Sequence, residues 1–251
     1  MVETIPTQRT RYTSQLTTAD CVVVIPTYNE AENIERLLPQ VLAHPRFRVL
    51  VVDDNSPDGT GDLVEAIADA NPRLGLLRRA GKLGLGTAYI EGFRRALAEG
   101  ADYIFEMDAD FSHNPTYLPQ LLAATEQGYD LVLGSRYVRG GGTENWGLMR
   151  QLISRGGNLY AGLILGLPVA DATGGYRCYR RAVLEQIKLD SVRSNGYSFQ
   201  IEMAYRTLQA GFRVGEVPII FPDRRVGQSK MSRRIVVEAL INVWKLRLGL
   251  M

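Results

Sequence analysis

Short runs of β-branched and aromatic residues recur along the first half of the chain, each closed by proline, glycine or a polar cluster and followed by a stretch of helical periodicity. The run over 21–26 ends in Pro26 and reads as a strand. A helix is expected over 30–43, with Ile34, Leu37, Leu38, Val41 and Leu42 on one face and Pro39 inside the pattern, where it should kink the axis. A second strand over 47–52 closes on Asp53-Asp54-Asn55-Ser56, and Asp58-Gly59-Thr60 turns the chain into a helix stopped by Asn71-Pro72. A strand over 74–77, a helix over 84–99 ended by Gly100 and a strand over 103–107 leading into Asp108-Ala109-Asp110 follow. A helix over 117–127, stopped by Gly128, and a strand over 130–134 complete this half. Such alternation predicts an α/β fold: a Rossmann-like, mostly parallel sheet with helices on both faces and right-handed crossovers.

After Ser135 the rhythm breaks. Arg139-Gly140-Gly141-Gly142-Thr143 reads as a flexible loop, and a helix is expected over 146–165, its second half almost wholly apolar. One more strand is expected over 214–221 and a last helix over 232–248.

Composition narrows the classes. A chain of 251 residues can bury a substantial core, and its net charge of +2 argues against a general nucleic-acid binder. Cys21 and Cys178 are isolated and lie in or beside apolar runs, so reduced core thiols are expected. The first twenty residues are polar, with no apolar core of a signal peptide, and read as a loose arm. No stretch reaches transmembrane length, and the expected location is the cytoplasm.

Candidate chemistry gathers where strands end. In an open α/β sheet, ligands bind in the crevice outside the carboxyl ends of the strands. Asp108 and Asp110 stand at one such end, and hard carboxylate oxygens suit Mg²⁺ or Mn²⁺ shared with a diphosphate. The plainer alternative is that this segment only leads into a helix begun by Asn114-Pro115. Asp53-Asp54 at another strand end suits ribose hydroxyls or a base amino group. In Pro26-Thr27-Tyr28-Asn29-Glu30, Tyr28 could stack on a base and Glu30 accept hydrogen bonds, although a capping role explains these residues as well. Lys82-Leu83-Gly84-Leu85-Gly86 permits close backbone approach, but G-x-G-x-x-G is incomplete, which argues against a dinucleotide dehydrogenase.

Pro26-Thr27-Tyr28-Asn29-Glu30, Val52-Asp53-Asp54, Lys82-Leu83-Gly84-Leu85-Gly86 and Met107-Asp108-Ala109-Asp110-Phe111-Ser112-His113 resemble the GT-A glycosyltransferases of family 2. Downstream, Gly134-Ser135-Arg136-Tyr137, Asp171-Ala172-Thr173-Gly174-Gly175-Tyr176-Arg177 and the 195–203 segment look like the dolichyl-phosphate (polyprenyl-phosphate) mannose synthases within that family, as does the run from Gly215 to Lys230. The resemblance spans about residues 20–240 in order. It implies transfer of mannose from GDP-mannose to a polyprenyl or dolichyl monophosphate, giving the lipid-linked mannose used in glycosylation. Carried over by motif, Pro26, Tyr28, Glu30, Asp53, Asp54, Lys82, Gly84, Asp108 and Ala109 would surround the nucleotide, and Asp108 and Asp110 would hold the metal with Ser112 beside it. Some relatives have glutamine at position 112. Arg136, Arg150, Ser154, Arg224 and Lys230 would gather around the acceptor phosphate, and Asp110, Arg136 and Arg224 would bear on the transfer itself. On this reading residues 1–19 form the arm, 20–231 the catalytic domain (20–136 the nucleotide half, 137–231 the acceptor half) and 232–251 an amphipathic interface helix.

The chemistry can also be reasoned without the resemblance. A phosphate monoester, with a second pKa of roughly 6, is already largely dianionic near neutral pH and needs placing rather than deprotonating. The two histidines fit that: His44 sits at a helix end before Pro45, and His113 reads as a turn residue behind the acidic pair. Arginines would bind the acceptor phosphate bidentately, the metal would stabilise the leaving nucleotide, and a single inverting displacement is expected. Basic residues flank an apolar stretch holding Trp244 at the carboxyl terminus, as in a helix lying in a bilayer interface. The 152–167 segment is a second candidate contact. Peripheral binding at the cytoplasmic face of a membrane is expected, with a membrane-anchoring partner subunit as the alternative anchor. Other readings are a glucosyl or other sugar donor on the same scaffold, a nucleotidyltransferase, for which residues 26–30 are too poor in glycine, and a lipid-binding module with a degenerate site.

Overall fold

The computed structural model describes residues 21–223 and 233–250, the side chains of 233–238 excepted. The amino-terminal arm, Arg224 and Lys230 lie outside the described residues. Strands β1 (Cys21–Thr27), β2 (Phe47–Asp53), β3 (Leu74–Arg78), β4 (Tyr103–Glu106) and β5 (Leu131–Ser135) alternate with helices α1 (Ala31–Leu42), α2 (Thr60–Ala70), α3 (Leu85–Ala98) and α4 (Leu118–Glu126). The alternation follows the hydrophobic pattern closely, and α1 runs through Pro39 as one element.

The second half adds β6 (Gly142–Glu144), α5 (Leu148–Leu165), β7 (Arg177–Arg180), α6 (Arg181–Gln186), α7 (Gly196–Gln209), β8 (Val214–Pro218), β9 (Ile220–Pro222) and α8 (Arg233–Arg247). Seven strands form one sheet in the order β3-β2-β1-β4-β7-β5-β8, so strands from before and after residue 137 share it. All its pairings are parallel except those of β7, which lies antiparallel between β4 and β5. Neither β7 nor α6 nor α7 stands out in the hydrophobic pattern, because Arg177-Cys178-Tyr179-Arg180 is too short and too polar at its ends to read as a central strand. The single strand expected over 214–221 is two: β8 pairs with β5, while β9 leaves to pair with β6 in a small second sheet.

Alternate residues of β1 serve opposite layers. Val23 and Ile25 pack with α1 and α4, and Val22 and Val24 with α3, α6 and α7. A third cluster joins α5, α7 and α8 through Ala161, Leu165, Ile201, Val243 and Leu246. Cys21 and Cys178 are free thiols within the core.

One strand arrangement creates the crevice. β1 pairs with β2 along its whole length but with β4 only as far as Val24 opposite Glu106. Beyond that point the two strands part, at the position where chain order in the sheet reverses, the place where α/β folds receive ligands. Pro26, which has no N–H to give a ladder, falls past the parting.

Candidate active site

At the tip of β4 the chain turns sharply. Phe111 has φ +61°, a left-handed conformation rare for a bulky side chain, and Asn29 and Asn55 share it at φ 60° and 57° past the ends of β1 and β2. Strained turns of this kind persist where the surroundings hold them, and here they cluster at the mouth of the crevice. Asp110 is 8% exposed, and its Oδ1 accepts from the Ser112 backbone N–H at 3.1 Å and from Ser112 Oγ at 2.5 Å. Ser112 thus uses its hydroxyl to orient Asp110. Asp108 is half-buried; its backbone N–H donates to His113 Nδ1 at 2.9 Å, and its Oδ1 accepts from Tyr89 Oη at 3.1 Å. His113 is itself buried, stacked on Tyr176 with ring centroids 4.8 Å apart.

The nucleotide-side residues meet here as well. Lys82 Nζ lies 3.9 Å over the Tyr28 ring, a cation–π contact that joins the first and third strand ends. Gly84 has φ +106°, and a Cβ there would come 2.8 Å from Asn195 Oδ1; one on Gly86 would come 2.6 Å from the Ser194 carbonyl. Both glycines are therefore needed for the 82–86 loop to pack on the turn that begins α7. Asp53 is tied inward: it accepts from Thr27 Oγ1 at 2.9 Å and from the Ser56 N–H and hydroxyl at 3.0 and 2.6 Å. Asp54 pairs with buried Arg79 at 2.6 Å. Glu30 is half-buried and accepts from Asn33 Nδ2 at 2.7 Å.

On the other side of the crevice, Arg136 follows β5 and forks Asp171: Nε to Oδ2 at 2.7 Å and Nη2 to Oδ1 at 2.6 Å, with both side chains at most 5% exposed. Burial alone would raise the Asp171 carboxyl, but the hydrogen bonds and charge of Arg136 outweigh it and hold it below the ordinary range. Arg150 lies 3.8 Å over the Trp146 ring and is ion-paired to Asp223. Ser154 Oγ accepts from Tyr137 Oη at 2.7 Å. Arg136, Arg150 and Ser154 line one cavity, and Trp146, Tyr160, Tyr197, Ile201, Leu240 and Val243 make its remaining wall largely apolar. The cavity lies between α5, α7 and α8.

Among the described residues there is no group of three or more His, Cys, Asp or Glu side chains able to cage a metal alone. Two carboxylates at a strand tip are the donor set that suits a hard cation completing its shell with substrate phosphates and water, so Asp108 and Asp110 fit Mg²⁺ or Mn²⁺.

The roles of Arg79, Asp171 and Trp146 emerge only in the fold. Arg79 carried a faint signal as a basic residue just past a strand end; Asp171 lay inside a recognised motif, but its partner is 35 residues away. Trp146 carried none.

The family model for glycosyl transferase family 2 matches residues 22–188. A polyprenol monophosphomannose synthase from Mycolicibacterium smegmatis is 46% identical over 246 residues, covering 96% of this chain and 89% of that protein. An undecaprenyl-phosphate mannosyltransferase from Micrococcus luteus is 50% identical over 223 residues, covering 88% and 91%. Among solved structures, a mannosyltransferase from Pyrobaculum calidifontis in complex with GDP-mannose and Mn²⁺ aligns with TM-score 0.62 at 19% identity, over 97% of this chain and 65% of that one. A glucosyl-3-phosphoglycerate synthase from Mycobacterium tuberculosis with Mn²⁺, UDP and phosphoglyceric acid aligns with TM-score 0.65 at 20% identity, over 92% and 79%. At such identities the structural likeness speaks for the GT-A fold.

Proposed function

The chain belongs to glycosyl transferase family 2 and is a glycosyltransferase, and from that premise we propose that it transfers mannose from GDP-mannose to a polyprenyl monophosphate with inversion at the anomeric carbon. The observation that carries the acceptor half of this reading is the cavity. Arg136, just past β5, and Arg150 and Ser154, one turn apart on α5, converge on a pocket whose other walls are largely apolar, which suits an anionic head on a hydrocarbon chain.

The donor lies across the crevice. Tyr28 and Lys82 receive the nucleotide, Lys82 adding charge beside the diphosphate, and Asp108 and Asp110 hold the cation. Bound between these carboxylates, a divalent cation would supply charge stabilisation to the departing diphosphate. Arg150, with Arg224 from outside the described residues, offsets repulsion between the two anions and aims the acceptor phosphate at the sugar. Arg136, forked to Asp171, is a rigid wall of the cavity with its charge already half-answered. No base is required of the protein, in keeping with the two histidines. His113 Nδ1 is engaged by the Asp108 N–H, and His44 packs edge-on against Phe47 at the opposite end of the strands.

No helix among the described residues is long and apolar enough to cross a membrane. Two helices nevertheless leave apolar side chains in water. On α5, Leu148, Leu152, Leu159 and Leu163 are 65–79% exposed and fall on one face; on α8, Ile241 and Trp244 are about half exposed. A row of exposed leucines on one helix face, beside a half-exposed tryptophan, is the kind of apolar patch that marks an interaction surface. We infer that α5 and α8 rest together in a membrane interface on the cytoplasmic face, with the cavity between them open to the lipid phosphate.

Incubation of the purified chain with radiolabelled GDP-mannose or UDP-glucose, polyprenyl phosphate and Mn²⁺, followed by butanol extraction, tests donor and acceptor together. Label from GDP-mannose, in a product of inverted anomeric configuration, is expected. Extraction of label from UDP-glucose alone, or retained configuration, would overturn the reading.

A further inference from the structure

Asp108 is gripped from within the fold as well as from its own turn. Tyr89, on α3, is 0% exposed and puts its hydroxyl on Asp108 Oδ1 at 3.1 Å. The phenol ring is fixed in a stack, with Phe93 at 5.9 Å and Phe199 at 6.0 Å, the latter nearly parallel at 6°. Facing a carboxylate, which can only accept, the phenol hydroxyl is the donor of this bond. An apolar helix face would more readily carry phenylalanine here; the ring lies in the hydrophobic layer, and the hydroxyl meets a carboxylate at a strand tip. The same helix begins at Gly84, at the end of the loop that carries Lys82.

Resting on the metal reading above, we propose that Tyr89 is the positioning residue of the divalent-cation site, its hydroxyl fixing the carboxylate plane of Asp108 for the cation. Carboxylates that ligate metals are generally held by hydrogen bonds behind them, and losing such a partner weakens metal binding about 10- to 100-fold. The arrangement also explains why the grip comes from α3. A partner on the open side of the crevice would compete with the nucleotide, whereas one inside the sheet–helix layer does not.

The test is Mn²⁺ binding to the full chain in the presence of GDP, read from the paramagnetic resonance of free Mn²⁺, for the wild type, Tyr89→Phe and Asp108→Asn. Phenylalanine keeps the stack, so Tyr89→Phe is expected to melt near the wild type yet bind Mn²⁺ about tenfold or more weakly. Its turnover should recover at high Mn²⁺, with the KM for polyprenyl phosphate unchanged; a merely structural role would move the melt and not the Mn²⁺ requirement. Wild-type Mn²⁺ affinity in Tyr89→Phe, with binding lost in Asp108→Asn, would overturn this proposal and leave the metal site standing. Undiminished binding in Asp108→Asn would overturn the metal site itself. If Tyr89→Phe does not fold, Phe199→Leu loosens the ring without touching the hydroxyl; weaker Mn²⁺ binding is again expected, and unchanged affinity overturns the proposal.

Discussion

Glu106 lies in the middle of the sheet, 0% exposed, two residues before the acidic turn. Its carboxylate accepts from Tyr179 Oη at 2.8 Å and from Gln200 Nε2 at 2.6 Å. Burial pushes its pKa up from 4.5 to about 7, against the opposing charge of Arg177 and these two hydrogen bonds. The folded protein therefore holds a proton that the unfolded chain has already released between these two values. Stability from this group is complete below about pH 4.5 and is lost as pH rises through about 7. At about 1.4 kcal/mol per pH unit separating the two states, that window carries about 3 kcal/mol. The perturbation is Glu106→Gln, which cannot titrate. Gln200 Oε1 has no partner in the wild type, so the amide of Gln200 can reverse and accept from the new side chain. Urea unfolding of both proteins at pH 5 and pH 8 gives the difference directly. Relative to the wild type, Glu106→Gln should gain about 2.5 kcal/mol on passing from pH 5 to pH 8, since part of the window already lies below pH 5, whatever its offset at either pH. Parallel pH profiles for the two proteins would refute the reasoning, because they would mean that Glu106 has the same proton affinity folded and unfolded.

Three further outcomes are expected. Arg136→Ala should leave Asp171 charged and unanswered in the core, costing about 3–5 kcal/mol in urea unfolding besides its effect on transfer, whereas Arg150→Ala, at a half-buried pair, should raise the KM for polyprenyl phosphate with little change in stability. A Cβ at Gly92 would fall on Val24 Cγ1 and reach 3.2 Å from Val52 Cγ2, so Gly92→Ala should push α3 off the sheet and cost about 1–3 kcal/mol by thermal or urea unfolding. Replacing Leu152 and Leu163 with asparagine together should reduce flotation with anionic liposomes while leaving the melting temperature near the wild type, since both side chains are already in water; undiminished flotation would remove α5 from the membrane account.

Much of the site was legible because it is local. Asp108 and Asp110 stand at a strand tip, where the apolar run before them and the turn residues after them place them. The inward ties of Asp53, by contrast, depend on Thr27, which is 26 residues away. Arg150 reads from sequence as a ligand for phosphate, while in the fold it is also stacked on Trp146 and paired with Asp223, 73 residues on. A pattern of burial says which face a side chain takes, not which partner it finds there.

The alternation of apolar runs and helical stretches determined the first five strands, their helices and the crevice side of the sheet, since period and chain length are properties of neighbouring residues. Only the tertiary structure decided that β7 enters antiparallel at the centre, carrying the wholly buried Arg177 whose guanidinium donates to the carbonyls of Ala172, Gly174 and Gln200. It also decided that residues 214–222 divide between two sheets, and that Tyr89 reaches under Asp108. These outcomes turn on hydrogen-bond partners brought together across long loops, such as Gln200 and Glu106, 94 residues apart, and such pairings have no signature in the periodicity of either segment.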